Sequence, residues 1–417
     1  MNHLPNEKQF TTDFLPSWFE ARQQRAQKQA SQLPNPSRHM ESWRFGSPDN
    51  ENIEQFGVAL PITLEKLTAI AQEYFSIPNA IRIICSNGFP TSIPEELPDG
   101  LKIMDLKDFI CQYPDEAQRY LKTMPETLGS EKLAAHNMAL QNKGLVIMAE
   151  KAITQPLEIL HFISGDNVAI FPFTLIIAQT KSSLHILERH LSTDHGQQFC
   201  GAIQQHNLSS SSRLQYALVQ ELNSRSFAVE LSHISADDSA EMEHLVSHPG
   251  ATWARQETVC HLNGNNANVR LFSANILKGN KELDQRTYQK HNYRGASSNL
   301  LYSNVLDDKS SSVFSGMILV AEGAHDTNAY QSNRNLILSN QAEANSLPGL
   351  EILADRVQCS HGAATSSISQ EEIFYLLSRG IPEHIARQMI AQGFLKHTLE
   401  QFSNDSIRTA VKDIILP

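Results

Sequence analysis

At 417 residues the chain exceeds one ordinary domain, and its 41% hydrophobic content suits a substantial core and excludes a disordered chain. A formal net charge of −11, spread along the chain, excludes a dedicated nucleic-acid binder, which would carry a basic patch. Five cysteines (Cys85, Cys111, Cys200, Cys260 and Cys359) lie scattered with no CxxC pair, which fits a reducing cytoplasm better than a disulfide framework. Met1 to Glu7 lacks the basic-then-apolar order of a signal peptide. No apolar run reaches about 18 residues, so no membrane span is expected.

Phe14, Leu15, Trp18 and Phe19 recur at helical spacing and lead into the polar run Ala21 to Gln32, which Pro34 and Pro36 end. Trp43-Arg44-Phe45 is expected to dock on the chain's own core. Leu64 to Ile70 reads as helix and Ile81 to Cys85 as strand, stopped by Asn87-Gly88. Ile103 to Leu106 leads into another helix through Tyr120, and Ser130 to Gln141 is helical. Residues 1–143 thus read as a mixed helical and α/β region without a catalytic signature, with Cys85 and Cys111 as packing residues.

From Gly144 the texture changes to short apolar runs separated by Gly, Asn, Ser and Asp. Leu145 to Met148, Leu157 to Phe162, Leu184 to Glu188, Leu214 to Val219, Val269 to Phe272 and Val313 to Val320 are examples. Val168 to Ala178, interrupted by Pro172, reads as a buried strand pair. Many short strands mean a mainly β body, and without a strict repeat period a sandwich, a barrel and a solenoid all stay open.

Cys359-Ser360-His361 closes this region. In an extended strand residues i and i+2 share a face, so the thiol and the imidazole would project side by side. Soft and borderline metals take both as ligands, but two donors do not complete a site. The alternative is a cysteine that behaves as a small buried hydrophobe. After Thr365 the pattern turns helical: Ser369 and Glu372 form a capping box, Gly380 suits the end of that helix and Pro382 the start of the next. The second helix carries Ile385, Met389 and Ile390 on one face and is expected to end at Gly393. Leu395 to Phe402 and Ser406 to Ile415 are two further amphipathic stretches.

Other constellations carry less. His244 and His248 would share a face only on a helix, and no HExxH is present. With His233 and His261 they read as mostly solvated or structural, and His185, His190 and His195 form a five-residue series that fits neither strand nor helix period well. GxxxxGK[ST], GxGxxG and GxSxG are absent, so nucleotide binding by those loops and a nucleophile elbow are not expected. Asp307-Asp308-Lys309 reads as a turn, although Asp307 and Glu322 would be the carboxylates of a carbohydrate-active enzyme on a β-helix. Arg334 is a polar insertion in a strand that wants a core or interface partner.

Several pieces of the run from about Arg270 to Phe394 recur in order and spacing in one family. They are Leu300 to Asp308, Ser315 to Ile318, Tyr330 to Ser339, Pro348 to Ile352, Cys359 to Ala363 and Glu372 to Pro382. With them the chain resembles the SufB/SufD family of iron–sulfur cluster assembly proteins. It resembles the SufD branch: Gly362 follows the motif histidine where SufB-like chains carry Glu, Ala342 stands where they carry a cysteine, and Glu41 to Phe45 looks SufD-like. The resemblance implies a right-handed parallel β-helix at 144–365 and a C-terminal helical subdomain at 366–417. It further implies a non-catalytic scaffold in the cytoplasm that pairs with a SufB-like subunit, a homodimer remaining open in isolation. A SufC-like ATPase would dock on the tail around Phe374, Tyr375, Arg379, Gly380, Ile381 and Pro382. His361, and with it Cys359, is implied as a ligand to a transient iron–sulfur cluster, or iron, shared with SufB; no cofactor is expected to be held tightly by the chain alone.

Overall fold

The structure is a computed structural model that describes residues 15–46, 55–141 and 143–416. Phe14 and the run Met1 to Glu7 lie outside the described residues. The amino-terminal part supplies α1 (Ser17–Gln32), β1 (Gly57–Val58), α2 (Leu64–Tyr74), β2 (Ile81–Ser86), β3 (Phe89–Ser92), β4 (Leu101–Asp105), α3 (Leu106–Gln112), α4 (Pro114–Leu121) and α5 (Glu131–Ala139). The body follows as β5 (Leu145–Ala149), β6 (Leu157–Ile163), β7 (Val168–Ile170), β8 (Phe173–Ala178), β9 (Ser183–Ser192), β10 (Gln198–Leu208), β11 (Arg213–Glu221), β12 (Phe227–Ala236) and β13 (Glu241–Ser247). It continues with β14 (Trp253–Leu262), β15 (Asn268–Leu277), β16 (Glu282–His291), β17 (Ser297–Leu306), β18 (Ser311–Val320), β19 (Asn328–Ile337), β20 (Glu343–Ile352) and β21 (Gln358–Ser367). The tail is α6 (Gln370–Ser378), α7 (Glu383–Leu399) and α8 (Asp405–Ile415).

Successive strands alternate between two sheets, β20-β18-β16-β14-β12-β10-β8-β5-β4 and β21-β19-β17-β15-β13-β11-β9-β6-β2-β3. The pairing is parallel from β5 and β6 onward, so the chain winds as a two-sheeted β-solenoid. Phe199 lies beside Phe227, Trp253, Glu282, Ser311 and Glu343 on successive turns. Each turn therefore takes between about 26 and 32 residues, a repeat whose uneven turns hide it from the sequence. Non-glycine residues with positive φ, such as Lys181, Ser211, Asn266 and Asp308, make the corners tight.

Over the first turns both faces of each sheet are covered, and β5, β6 and β8 are nearly continuous apolar runs. One parity of side chains, including Leu184, Ile186, Leu214, Val269 and Leu300, fills the space between the sheets. The outer face of the first sheet (Val146, Leu175, Phe199, Val229 and Trp253) is covered by the amino-terminal helices. The outer face of the second (Leu187, Ala217, Leu245 and Phe272) is covered by the tail. Between the sheets, Asn275, Asn304 and Asn335 form a hydrogen-bonded ladder: Asn275 Nδ2 donates to Asn304 Oδ1 at 2.9 Å and Asn304 Nδ2 to Asn335 Oδ1 at 3.2 Å.

Two expectations change. Gly393 does not end its helix; α7 runs on to Leu399, because Leu395 and Leu399 continue the buried stripe past a glycine with open space around it. A glycine inside a helix costs only about 1 kcal/mol against alanine, less than that burial returns. Cys111 is exposed and not a packing residue, since α3 buries Leu106, Phe109 and Ile110 and turns Cys111 outward; Cys85 is buried as expected. Among the described residues no helix is long and apolar enough to cross a membrane.

Trp43 docks on its own chain. Its ring stacks on Trp253 at 6.0 Å, and its Nε1 donates to Gly129 O at 2.7 Å. Arg255 lies 3.8 Å over the same ring and donates to Glu257 at 2.7 Å, to Asp284 at 2.6 Å and to the carbonyls of Ser42 and Leu128. Arg255→Ala leaves buried Glu257 without its cation and Asp284 with Arg286 alone, so a loss of about 3–5 kcal/mol is expected. Denaturant unfolding of the full chain measures it, and a loss under about 1 kcal/mol would show that this staple does not hold the amino-terminal region.

Candidate functional site

The solenoid ends differently at its two ends. At the start, β3 and β4 run antiparallel to their neighbours and close the sheets. At the finish, β20 and β21 each pair on one side only, with β18 and β19. The last turn therefore presents two strand edges and an uncovered inner face. The register places Cys359 beside Ala329 and His361 beside Gln331, both buried inward residues of β19. Cys359 and His361 thus share the inward-facing parity at the open end, as the i and i+2 spacing predicts.

Their surroundings differ. Cys359 is half-buried against the patch of Ile318, Val320, Ala324 and Ala329, and burial raises its thiol pKa. His361 is exposed. Gln331 fits beneath it because Gly316 has no side chain; a Cβ there would stand 2.7 Å from Gln331 and from Thr287 Oγ1. On the partner edge Leu347, Ile352 and the following Leu353 are 45%, 41% and 57% exposed, a large apolar content for a free surface. Ala342 sits in the turn before β20, its N–H bonded to Ser339 O. Among the described residues, no group of three His, Cys, Asp or Glu donors close enough for one ion includes Cys359 or His361. A metal there needs donors from outside the chain.

The tail builds a second surface. Ser369 caps α6 by accepting from Glu372 N. Gly380, at φ +81°, ends it in a Schellman motif: Gly380 N donates to Leu377 O and Ile381 N to Leu376 O. A residue with a Cβ is disfavoured at that φ. Only Ile373 of α6 is buried, whereas Phe374 is 72% and Tyr375 57% exposed. Arg379 lies 5.0 Å from the Tyr375 ring, Pro382 caps α7, and Ile381 turns inward against the tail's own core. Ile385 and Met389 on α7 extend the apolar patch. Arg334 finds its partner in the tail, over the Phe394 ring at 5.6 Å.

The remaining histidines sort by strand parity. His185 is half-buried beside Gln215, His190 is buried between the sheets and His195 lies exposed in a turn. His244 is on β13, so its helix-face pairing with His248 lapses. The His233 and His261 rings lie 5.3 Å apart, tilted by 42°, and His261 reaches Glu126 at 3.0 Å. His161, Glu188, His190, Cys200 and Glu230 gather in the interior, a cluster that no sequence motif marks because its members come from four strands. Asp307 and Glu322 lie in turns at opposite ends of β18, roughly 30 Å apart along a ten-residue strand, and do not form one carboxylate pair.

Residues 161–394 match the family model described as SUF system FeS cluster assembly, SufBD core domain. The chain belongs to the SufB/SufD family. It is similar to the iron–sulfur cluster assembly protein SufD of Escherichia coli (strain K12), at 27% identity with 99% of this chain and 97% of the relative covered. It is similar also to SufD of Bacillus subtilis (strain 168), at 23% identity over 96% of this chain and 94% of that one. SufB of Bacillus subtilis is 24% identical over 67% of this chain and 60% of its own length. The closer match in length to the SufD relatives agrees with Gly362 and Ala342, and the family supports a role in iron–sulfur cluster assembly.

The burial of the cysteines gives a direct check. Alkylation of the native chain should label Cys111 and Cys359 and spare Cys85, Cys200 and Cys260. Because burial raises the Cys359 thiol, its labelling should speed up with pH to a higher pH than a free thiol's. Mass spectrometry of the digested protein reads both; early labelling of Cys200 or Cys260 would mean that the solenoid opens.

Proposed function

We propose that this chain is a scaffold subunit of a SUF assembly complex that joins a SufB-type subunit at the last solenoid turn and gives His361 to a nascent iron–sulfur cluster. The observation that carries this is the open turn itself: two unpaired strand edges, exposed apolar side chains and two soft donors on one face. A second solenoid end adds strands to both edges and supplies the missing ligands. A neutral imidazole is a more labile ligand than a thiolate, which suits a cluster that is built and then handed on. Cys359, half-buried with a raised pKa, is the weaker donor of the two. The cluster is cargo, and the chain itself turns over no substrate.

We further propose that the patch of Phe374, Tyr375 and Arg379 receives the SufC-type ATPase. A helix that buries one residue and exposes two large aromatics is built for a partner. ATP-driven movement of that subunit would then be passed through α7, which packs on β15 and β17, toward the last turns of the solenoid.

Co-expression with SufB and SufC homologues, anaerobic purification and assay of iron and sulfide test the first reading. His361→Ala should leave the three-component complex intact and lower cluster content about tenfold or more. An intact complex with unchanged cluster removes the ligand role, and no complex with the wild-type chain overturns the scaffold reading. Phe374→Asp should weaken ATPase-subunit binding by about 2 kcal/mol or more, roughly thirtyfold in Kd, without loosening the SufB-type pairing. Calorimetry with the isolated ATPase subunit measures it, and an unchanged Kd would move the docking site elsewhere.

A further inference from the structure

Six strands before β21 in the same sheet, roughly 30 Å from the open turn, the solenoid interior holds two histidines and two glutamates in contact. Glu188 Oε1 lies 3.1 Å from His161 Nε2 and 3.0 Å from His190 Nε2. All three side chains are at least 98% buried. Two donors that bind one cation at about 2.1 Å and at right angles are about 3.0 Å apart, so each imidazole stands at ligand spacing from the shared carboxylate oxygen, and the three donor atoms all lie within 4.8 Å of one another. Two imidazoles and one carboxylate are a ligand combination that holds first-row dications.

The second layer has the form of a metal site. His190 turns its other nitrogen, Nδ1, to Glu230 Oε1 at 2.9 Å, and Glu230 Oε2 accepts from Gln204 Nε2 at 3.1 Å. A metal-bound histidine habitually makes that bond to a carboxylate, which fixes its tautomer and orientation. Glu188 is held at both oxygens, by Tyr216 Oη at 2.9 Å and Thr174 Oγ1 at 3.2 Å. Cys200 Sγ stands 4.0 Å from His190 Nδ1, the ring nitrogen turned to Glu230 and away from Glu188, so it belongs to the surroundings and not to the donor set.

Two features go unexplained without a cation. His161 is buried, yet its 3.1 Å approach to Glu188 lacks hydrogen-bond geometry and neither of its ring nitrogens has a hydrogen-bond partner. Leaving such a group unsatisfied costs about 1–3 kcal/mol. Glu188 and Glu230 are both fully buried, and the one cation-capable group among their described hydrogen-bond partners is His190, which bridges them, so two carboxylates face at most one imidazolium and a buried negative charge is left over. Buried acids are paired with cations or bind metals. We propose that His161, Glu188 and His190 form a mononuclear site for a divalent metal of the iron(II), cobalt(II) and zinc(II) class, seated by Glu230 and Tyr216. The site is separate from the open turn and does not rest on the assembly reading.

Because the site is enclosed, metal enters while the chain folds, and the test loads it during synthesis. Cobalt(II) is the probe: the full-length chain is produced in minimal medium with cobalt(II), washed with a chelator, and measured by elemental analysis and visible absorption. About one cobalt, or cobalt plus zinc and iron, per chain is expected in the wild type and in His361→Ala, falling below about one-tenth in His161→Gln. Glu230→Gln keeps every ligand and should lose metal to a competing chelator about 10- to 100-fold more readily, which decides the matter if His161→Gln does not fold. A wild-type chain with less than about one-tenth of an equivalent overturns the proposal, as does equal metal retention in the wild type, His161→Gln and Glu230→Gln. Loss of the metal in His361→Ala would assign it to the open turn and overturn the proposal as well.

Discussion

A single turn of a β-solenoid has no core of its own. Its inward side chains are covered, and its strand edges paired, only by the turns above and below, so stability passes from neighbour to neighbour. The two ends are then the places where the architecture must change. At the amino-terminal end, antiparallel β3 and β4 stop both sheets, and parallel pairing cannot continue past them. At the other end nothing of this kind occurs among the described residues: β20 and β21 keep the parallel register to the last residue and leave an edge each. An edge of ten residues with exposed Leu347, Ile352 and Leu353 beside it is the kind of surface that chains otherwise blunt with charge or proline. Pro348 on β20 is the one blunting device on the inward parity, and it is not enough to close the turn.

The flanking regions make sense against this background. The amino-terminal helices cover the outer face of the first sheet as far as Trp253, and the tail covers part of the outer face of the second. The tail could have folded back as a lid. Instead, Gly380 reverses the chain between α6 and α7, so that α7 and α8 lie on the second sheet while α6 stands clear with its aromatic side chains outward. Ser303 and Thr398 meet at 2.7 Å, and Ser403 N donates to Glu243 at 2.7 Å, which pins the returning helices to the strands. A rigid, well-seated α7 with an unpartnered α6 beside it joins one exposed surface to the solenoid mechanically.

What could be read from the sequence follows from what is local. Strand runs, the Ser369 cap, Gly380 and the shared parity of Cys359 and His361 depend on neighbours within four residues, and the structure has them all. The turn length was illegible because corners vary by several residues and because the inward column mixes leucines with Asn275, Asn304 and Asn335. The carbohydrate-enzyme pair Asp307 and Glu322 failed for a related reason: fifteen positions apart in sequence, they fall at opposite ends of one strand. His190 shows the limit most plainly. In the series His185, His190 and His195 the odd spacing flips the face between the first two and carries the third past the strand end into a turn, so only the middle member enters the interior, where His161 and Glu230 arrive from 29 residues before and 40 after.

Glu188 and His190 are an i, i+2 pair on an inward parity, as Cys359 and His361 are. The local geometry of the two pairs is the same, and their chemistry is not, because one has turns on both sides and the other on one. Enclosed, Glu188 finds partners at both oxygens and His190 at both nitrogens. Each group there is fixed, and exchange would require the solenoid to open. At the end turn the same backbone leaves His361 exposed with no third donor in reach, so whatever it binds is completed by another surface and can leave with it. Position along the stack, and not the identity of the donors, thus separates the enclosed site proposed to keep a metal from the open one proposed to pass a cluster on.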